Sequence, residues 1–229
     1  MKALKSLLAA VMVMTSATGF AQFTNVNNQG STGNSTTIEK GYDRIGVSYN
    51  SMSYKCDWDD GEDDFSLNGV GFEWIHGFNI AKSIPLYIET GAKFLYGFKS
   101  ESENIDEDWT IDNKYKSMSI SVPVNIAYRF TLPNNNNISI TPYTGITVKG
   151  NIAFKQTLED DDEKVEYDYF DKDDVGDDGT ANRFQFGWHI GAGITFNQFY
   201  VGLNYGIDTS EFAKKINTST FALTVGFEL

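Results

Sequence analysis

Between Lys116 and Phe130 every second side chain is large and apolar. Met118, Ile120, Val122, Val124, Ile126, Tyr128 and Phe130 share one parity, and Ser117, Ser119, Ser121, Pro123, Asn125, Ala127 and Arg129 share the other. Period two is the signature of a β-strand, whose successive side chains point to opposite faces. The segment Arg183–Phe196 repeats the pattern. Phe184, Phe186, Trp188, Ile190, Ala192, Ile194 and Phe196 alternate with Arg183, Gln185, Gly187, His189, Gly191, Gly193 and Thr195. No other feature constrains the fold as strongly, because the second face is too small and polar to form a hydrophobic core. A soluble barrel would turn its large apolar residues inward. Here the polar set suits a narrow wet lumen and the apolar set suits lipid.

The same rule gives eight strands: Tyr42–Lys55, Phe65–Phe78, Leu86–Lys99, Tyr115–Phe130, Ile138–Lys155, Arg183–Phe196, Phe199–Asp208 and Ile216–Leu229. Each reaches the roughly 9–11 residues a tilted membrane strand needs. Short turns (Asn79–Pro85, Thr131–Asn137, Asn197–Gln198) alternate with long segments (Cys56–Asp64, Ser100–Lys114, Gln156–Asn182) and the shorter Thr209–Lys215. Aromatic residues gather at strand ends as an interfacial girdle requires. They are Tyr128, Phe130, Phe196 and Phe199 at the turn side, with Tyr96, Phe98, Phe154 and Phe184 at the loop side. The expected fold is an all-β, eight-stranded antiparallel transmembrane up-and-down barrel with short periplasmic turns and long acidic extracellular loops.

Three parts are expected along the chain. Residues 1–21 read as a secretory signal peptide, with Lys2 and Lys5, an apolar run from Leu7 to Met14, and Gly19-Phe20-Ala21 as the cleavage site. Residues 22–41, rich in Asn, Ser, Thr and Gly, read as a flexible periplasmic leader. Residues 42–229 form the barrel.

Parity places Arg44, Glu73, Glu89, Lys93, Arg129, Lys149 and Glu228 inside, as an ion-pair network that fills the lumen. Lys or Arg facing lipid at mid-depth would cost roughly 2–4 kcal/mol. The formal net charge of −13 comes from the loops, since outside them only Glu39, Asp43, Glu73, Glu89 and Glu228 are acidic. That charge repels phosphates, so nucleic acid is not an expected partner. No cofactor and no preformed metal site are expected. Weak Ca²⁺ or Mg²⁺ binding is expected at most, from Asp160, Asp161, Asp162, Asp171, Asp173, Asp174, Asp177 and Asp178. The stretch from Asp171 has acids at positions one and three and Gly176 at six of a calcium loop, but Val175 and Asn182 fail at five and twelve.

Catalysis finds little support, and no catalytic residue is assigned. The only histidines are His76, on the lipid face near a turn, and His189, in the lumen, neither with an evident Ser and carboxylate at its depth. Cys56 is the single cysteine, so no disulfide can form within the chain and it is expected to remain a thiol. Pro123 and Pro142, which lack an N–H, are each expected to sit at a bulge.

With this pattern the chain resembles the small outer-membrane β-barrel domain proteins of Gram-negative bacteria, of OmpA and OmpX type. The last strand carries the likeness most specifically: Phe221, Leu223, Val225, Phe227 and Leu229 alternate to the C-terminus, similar to the signal such proteins present to the barrel-assembly machinery. The resemblance implies outer-membrane lipid and that machinery as partners. From the residues themselves the expected role is that of a monomeric, non-catalytic surface protein whose acidic loops serve adhesion, an unidentified extracellular partner, cation binding or envelope integrity. The alternatives are a small channel or transporter and, further off, a lipid-modifying barrel enzyme.

Overall fold

The computed structural model describes residues 38–58, 61–81, 83–106, 109–132, 135–160 and 163–229. The signal-peptide stretch, most of the leader, and Asp161 and Asp162 therefore lie outside the described residues. Chain order is β1 (Gly41–Trp58), β2 (Gly61–Asn79), β3 (Leu86–Asp106), β4 (Trp109–Tyr128), β5 (Phe130–Leu132) and β6 (Asn135–Glu159). There follow β7 (Lys164–Asp168), α1 (Lys172–Gly179), β8 (Phe184–Phe196), β9 (Phe199–Asp208) and β10 (Ile216–Glu228). Each long strand pairs antiparallel with its neighbours, in the order β1, β2, β3, β4, β6, β8, β9, β10. The ring closes where β10 returns to β1, from Arg44↔Glu228 to Cys56↔Ile216.

Eight strands in a ring make an antiparallel up-and-down barrel with its greasy side out. Ile126, Ile146 and Phe186 are 56–58% exposed, whereas their alternating neighbours Asn125, Gly187 and Gln185 are buried. Exposed apolar residues cover the outer surface from Phe199 and Phe227 at the turn end to Phe98 and Phe184 at the loop end. No helix among the described residues is long and apolar enough to cross a membrane, and the crossing elements are strands. Leu203 lies midway along the outward face of β9 and is 50% exposed. Leu203→Arg is expected to cost roughly 2–4 kcal/mol in reversible urea unfolding from vesicles.

The structure lengthens the hairpins at the loop end. β2 leaves β3 above Asn68↔Phe98, and β8 leaves β6 above Gly150↔Phe184. β3, β4, β6 and β7 nevertheless stay paired, up to Asp106↔Trp109, Asp112↔Glu159 and Glu159↔Lys164. Much of what sequence reads as long loop is thus a four-stranded sheet rising past the ring. The change from apolar to acidic composition marks the end of the apolar belt but not the end of the strands, because the polar residues beyond it stay extended and paired.

Two other expectations are corrected. Phe154 does not join the lipid-facing girdle, because Ser119 pairs with Asn151 while Met118 pairs with Ala153. The extra residue, Ile152, is a bulge that reverses the parity beyond it and turns Phe154 inward, where it is 1% exposed. Neither Pro123 nor Pro142 sits at a bulge. Pro123 pairs in register with Thr147 and Pro142 with Ala192. Opposite Pro142, the ladder of β4 stops at Tyr128 and resumes with β5 at Phe130, while the Arg129 N–H donates elsewhere, to Pro85 O at 3.0 Å.

Glycines on the inward face make room for rings. A Cβ at Gly193 would stand 2.1 Å from Cε2 of Tyr200, and one at Gly77 would stand 2.6 Å from Cζ of Tyr42. These tyrosines lie across bare backbone and complete the packing of the lumen, where they are 2% and 4% exposed.

Candidate functional site

The lumen is built in layers. At the turn end Arg129 Nη2 meets Glu228 Oε1 at 2.5 Å, and Thr195 Oγ1 donates to Glu228 Oε2 at 3.1 Å. Arg129 also lies 5.0 Å over the Tyr42 ring. In the next layer Glu89 is fully buried and accepts from three directions: Tyr42 OH at 2.6 Å, Asn125 Nδ2 at 2.8 Å and Arg44 Nη1 at 3.3 Å. Arg44 Nε stands 3.8 Å from Glu73, whose other oxygen meets Lys93 Nζ at 3.0 Å. Higher still, Lys149 and Thr218 both bond to Asp208.

Register explains the meeting of these charges. Glu73 pairs directly with Lys93, so these opposite charges share one side of neighbouring strands, whereas Arg44 stands opposite Glu228 in register but its side chain reaches Glu73 and Glu89 instead. The structure brings Arg44, Glu73, Glu89 and Lys93 into one connected cluster. Arg129 with Glu228 forms a separate pair toward the turns, and Lys149 a third group toward the loops. Arg44 Nε and Arg129 Nη1 are buried and take no hydrogen-bond acceptor among the described residues. The Arg44 guanidinium lies 4.1 Å above the Tyr200 ring, so ring faces supply part of what those groups lack.

Several members of this system are invisible to a search for inward charges. Asn125 ties Glu89 to His189, whose Nε2 is 2.7 Å from Asn125 Oδ1 and whose Nδ1 is 2.9 Å from Thr147 Oγ1. Asp208 belongs to the lumen, although sequence counts it with the loops; pairing with the inward Gly187 fixes its direction. Pairing opposite Glu89 marks Asn125 in the same way, but register is available only once the ring is closed.

The loop end is closed by a different material. Met52, Tyr54, Leu67, Phe154, Ala181, Phe212 and Ala213 form a buried apolar cluster, with Phe65, Tyr115, Tyr169 and Ile216 packed on it. Tyr54 stacks on Phe65 at 4.7 Å, and Phe154 meets Phe212 at 4.8 Å and Tyr169 at 5.0 Å. The segments around Tyr169–Asn182 and Phe212 are tied down by Ala181 N–H to Tyr169 O at 2.7 Å and Asn182 N–H to Phe212 O at 2.6 Å. Burial in this cluster pushes the Tyr169 hydroxyl up to about 12. The upper interior is therefore apolar, contrary to the wholly small and polar lumen expected. Between roof and ion-pair layers lies a chamber of about 110 Å³ with a mixed lining, in which Ser119, Thr147, Lys93 and Lys149 face apolar residues such as Met52 and Phe154. It has room for a few waters.

The acidic loop residues satisfy one another locally. Asp171 caps α1 by accepting from Asp173 N–H at 3.0 Å, and Asp174 accepts from Asp168 N–H at 2.9 Å. Asp160 accepts from Glu163 N–H at 2.7 Å, and Asp177 pairs with Lys172 at 2.8 Å. Asp173 is exposed, and Asp178 lies within α1. Among the described residues no three His, Cys, Asp or Glu side chains gather as a metal would require. Hydrogen bonds from Lys172, Lys114 and Lys155 hold Asp177, Glu159 and Glu166 below the usual carboxylate range. Cys56 is buried at the top of β1. The outward residues of β10, Phe221, Leu223, Val225 and Phe227, and Leu229 just beyond it, are 40–63% exposed.

A family model described as outer membrane protein beta-barrel domain matches residues 6–228. No curated protein matches the chain. Among solved structures, the chain is similar to Ail, the attachment invasion locus protein of Yersinia pestis, crystallised with the heparin analogue sucrose octasulfate. Identity is 16%, over 83% of this chain and 100% of that one, with a TM-score of 0.46. It is also similar to the outer membrane enzyme PagL, at 14% identity over 82% and 98%, TM-score 0.46. The outer membrane protease OmpT of Escherichia coli follows, at 9% identity over 85% and 97%, TM-score 0.34.

Proposed function

Since the chain belongs to the outer membrane protein β-barrel domain family, and so resides in the bacterial outer membrane, we propose that it is a monomeric, non-catalytic surface protein. In this reading the ring is an anchor in outer-membrane lipid. The protruding sheet of β3, β4, β6 and β7, with the acidic turns around it, is the part presented outside the cell. The alternating face of β10 serves recognition by the barrel-assembly machinery.

One observation carries the reading. The lumen is blocked by ion pairs, by the Lys149–Asp208 group and by an aromatic roof, while strand pairing continues beyond the belt into an exposed acidic platform. A barrel built to pass solutes has no use for three obstructions. A barrel built to hold a platform gains rigidity from each of them. The excess of carboxylates at that end selects against polyanionic partners and favours cationic or neutral ones. Divalent cations would be held loosely by this summed charge.

The histidines support a non-catalytic role. Among the described residues His189 touches a hydroxyl and an amide but no carboxylate, and His76 touches Asp43 but no hydroxyl. Neither assembles nucleophile, base and orienting acid. The purified protein in a planar bilayer is expected to show no stable unitary conductance at neutral pH. A steady ohmic conductance would overturn this reading in favour of a small channel, with the chamber beneath the roof as part of its path. Hydrolysis of a lipid acyl ester that is lost in His189→Ala would overturn it in favour of an enzyme.

A further inference from the structure

Asp43 is an oddity of the outer surface. It follows Tyr42, which points into the lumen, so its carboxylate emerges on the lipid-facing side of β1, beside its partner His76 on β2. A carboxylate there is costly unless it is matched. Part of the match is local. Trp74 Nε1 donates to Asp43 Oδ1 at 3.1 Å, and His76 Nδ1 lies 2.8 Å from the same atom. A carboxylate only accepts, so the His76 proton sits on Nδ1 in this contact. Both donors use one oxygen. Oδ2 takes no hydrogen bond from any described residue, and the Asp43 side chain keeps 34% of its exposure.

The surroundings say what Oδ2 faces. His76 packs edge-on against Phe78 at 4.1 Å. Phe78, Phe227 and Leu229 are exposed apolar residues at the same end of the barrel. The carboxylate is therefore set in the aromatic rim, at the depth where hydrocarbon gives way to headgroups. Of the groups found there, a primary ammonium complements it best. It carries the opposite charge and has N–H donors for Oδ2, whereas a quaternary ammonium has none to give and an anionic headgroup is repelled. We propose that Asp43, with Trp74 and His76 fixing its orientation, is a headgroup site that takes the primary ammonium of a phospholipid at the turn-end rim.

The test needs no variant to begin. The protein is folded into phosphatidylcholine vesicles containing phosphatidylethanolamine or, separately, phosphatidylglycerol at equal mole fraction. It is then extracted into mild detergent, and retained lipid is counted by native mass spectrometry. The ethanolamine lipid is expected to be retained about tenfold over either other lipid, the scale of one charge-assisted hydrogen bond. Asp43→Asn keeps an acceptor for Trp74 and removes the charge, and is expected to abolish the preference while the barrel still resists unfolding on cold gels. Equal retention of all three lipids by the native protein overturns the proposal. So does a preference that survives Asp43→Asn, and Asp43 then serves only to orient Trp74.

Discussion

Glu89→Ala is expected to destabilise the folded barrel by about 3–5 kcal/mol, the cost of removing one partner from a buried charge pair. Glu89 is fully buried and is the one acceptor shared by Tyr42, Asn125 and Arg44. Its loss strands the Tyr42 hydroxyl and the Asn125 amide. It also leaves Arg44, itself 2% exposed, with only Glu73 at 3.8 Å and the Tyr200 ring. None of these groups reaches solvent, and the flanking strands cannot rotate them away without breaking the ring. Urea unfolding from vesicles, followed by tryptophan fluorescence, reads the loss as a lowered midpoint at constant slope. Glu89→Gln is expected to lose less, because an amide oxygen still accepts from Tyr42. A loss below about 1 kcal/mol for Glu89→Ala would mean that water replaces the carboxylate and that the layer is not sealed.

Phe154→Ala is expected to cost a similar amount, about 3–5 kcal/mol, through a different mechanism. The ring is 1% exposed and touches Tyr54, Phe65, Tyr115, Tyr169 and Phe212, so its removal opens a void at the centre of the roof. Had Phe154 faced lipid, truncation would cost far less, since acyl chains fill the gap. The substitution therefore also tests the inward turn produced by the bulge at Ile152. A second readout separates the two ends of the lumen. Amide exchange around Tyr169–Asn182, which hangs on the roof, is expected to accelerate in Phe154→Ala, and exchange around Arg44 and Glu89 to stay slow.

Sequence reveals the ring because alternation is a property of single residues. The parity of Val122, Val124 and Ile126 is enough to place a face, and all eight long strands follow from that rule. What sequence hides depends on pairing between strands. Phe154 has the parity of a lipid-facing residue until the mismatch between Met118 and Ala153 on one side and Ser119 and Asn151 on the other is known. Asp208 ends its expected strand and is counted with the external acids, although it shares the inward parity of Tyr200 and Asn204; Gly187 opposite it settles the placement. The Glu73–Lys93 pair is legible as two inward charges, but the role of Asn125 as the bridge between Glu89 and His189 is not, because nothing local distinguishes it from other polar lumen residues. The acidic stretches hide structure for another reason. Their residues satisfy the hydration of an extended loop and of a protruding sheet equally well, so composition cannot choose between them.

The seam between β1 and β10 has a consequence for how such a chain reaches its folded state. Every other neighbour in the ring follows closely along the chain, and hairpins can form as soon as both arms are present. Arg44 must wait for Glu228, and Cys56 for Ile216, across almost the whole length of the barrel. Until that late meeting, two rows of unsatisfied N–H and C=O groups remain open, each a template for the wrong strand. Closure entropy makes this contact the slowest to find by search. The seam is thus the step that fixes the register of the whole ring, since a one-residue slip of β10 against β1 would turn every side chain of that strand to the wrong face.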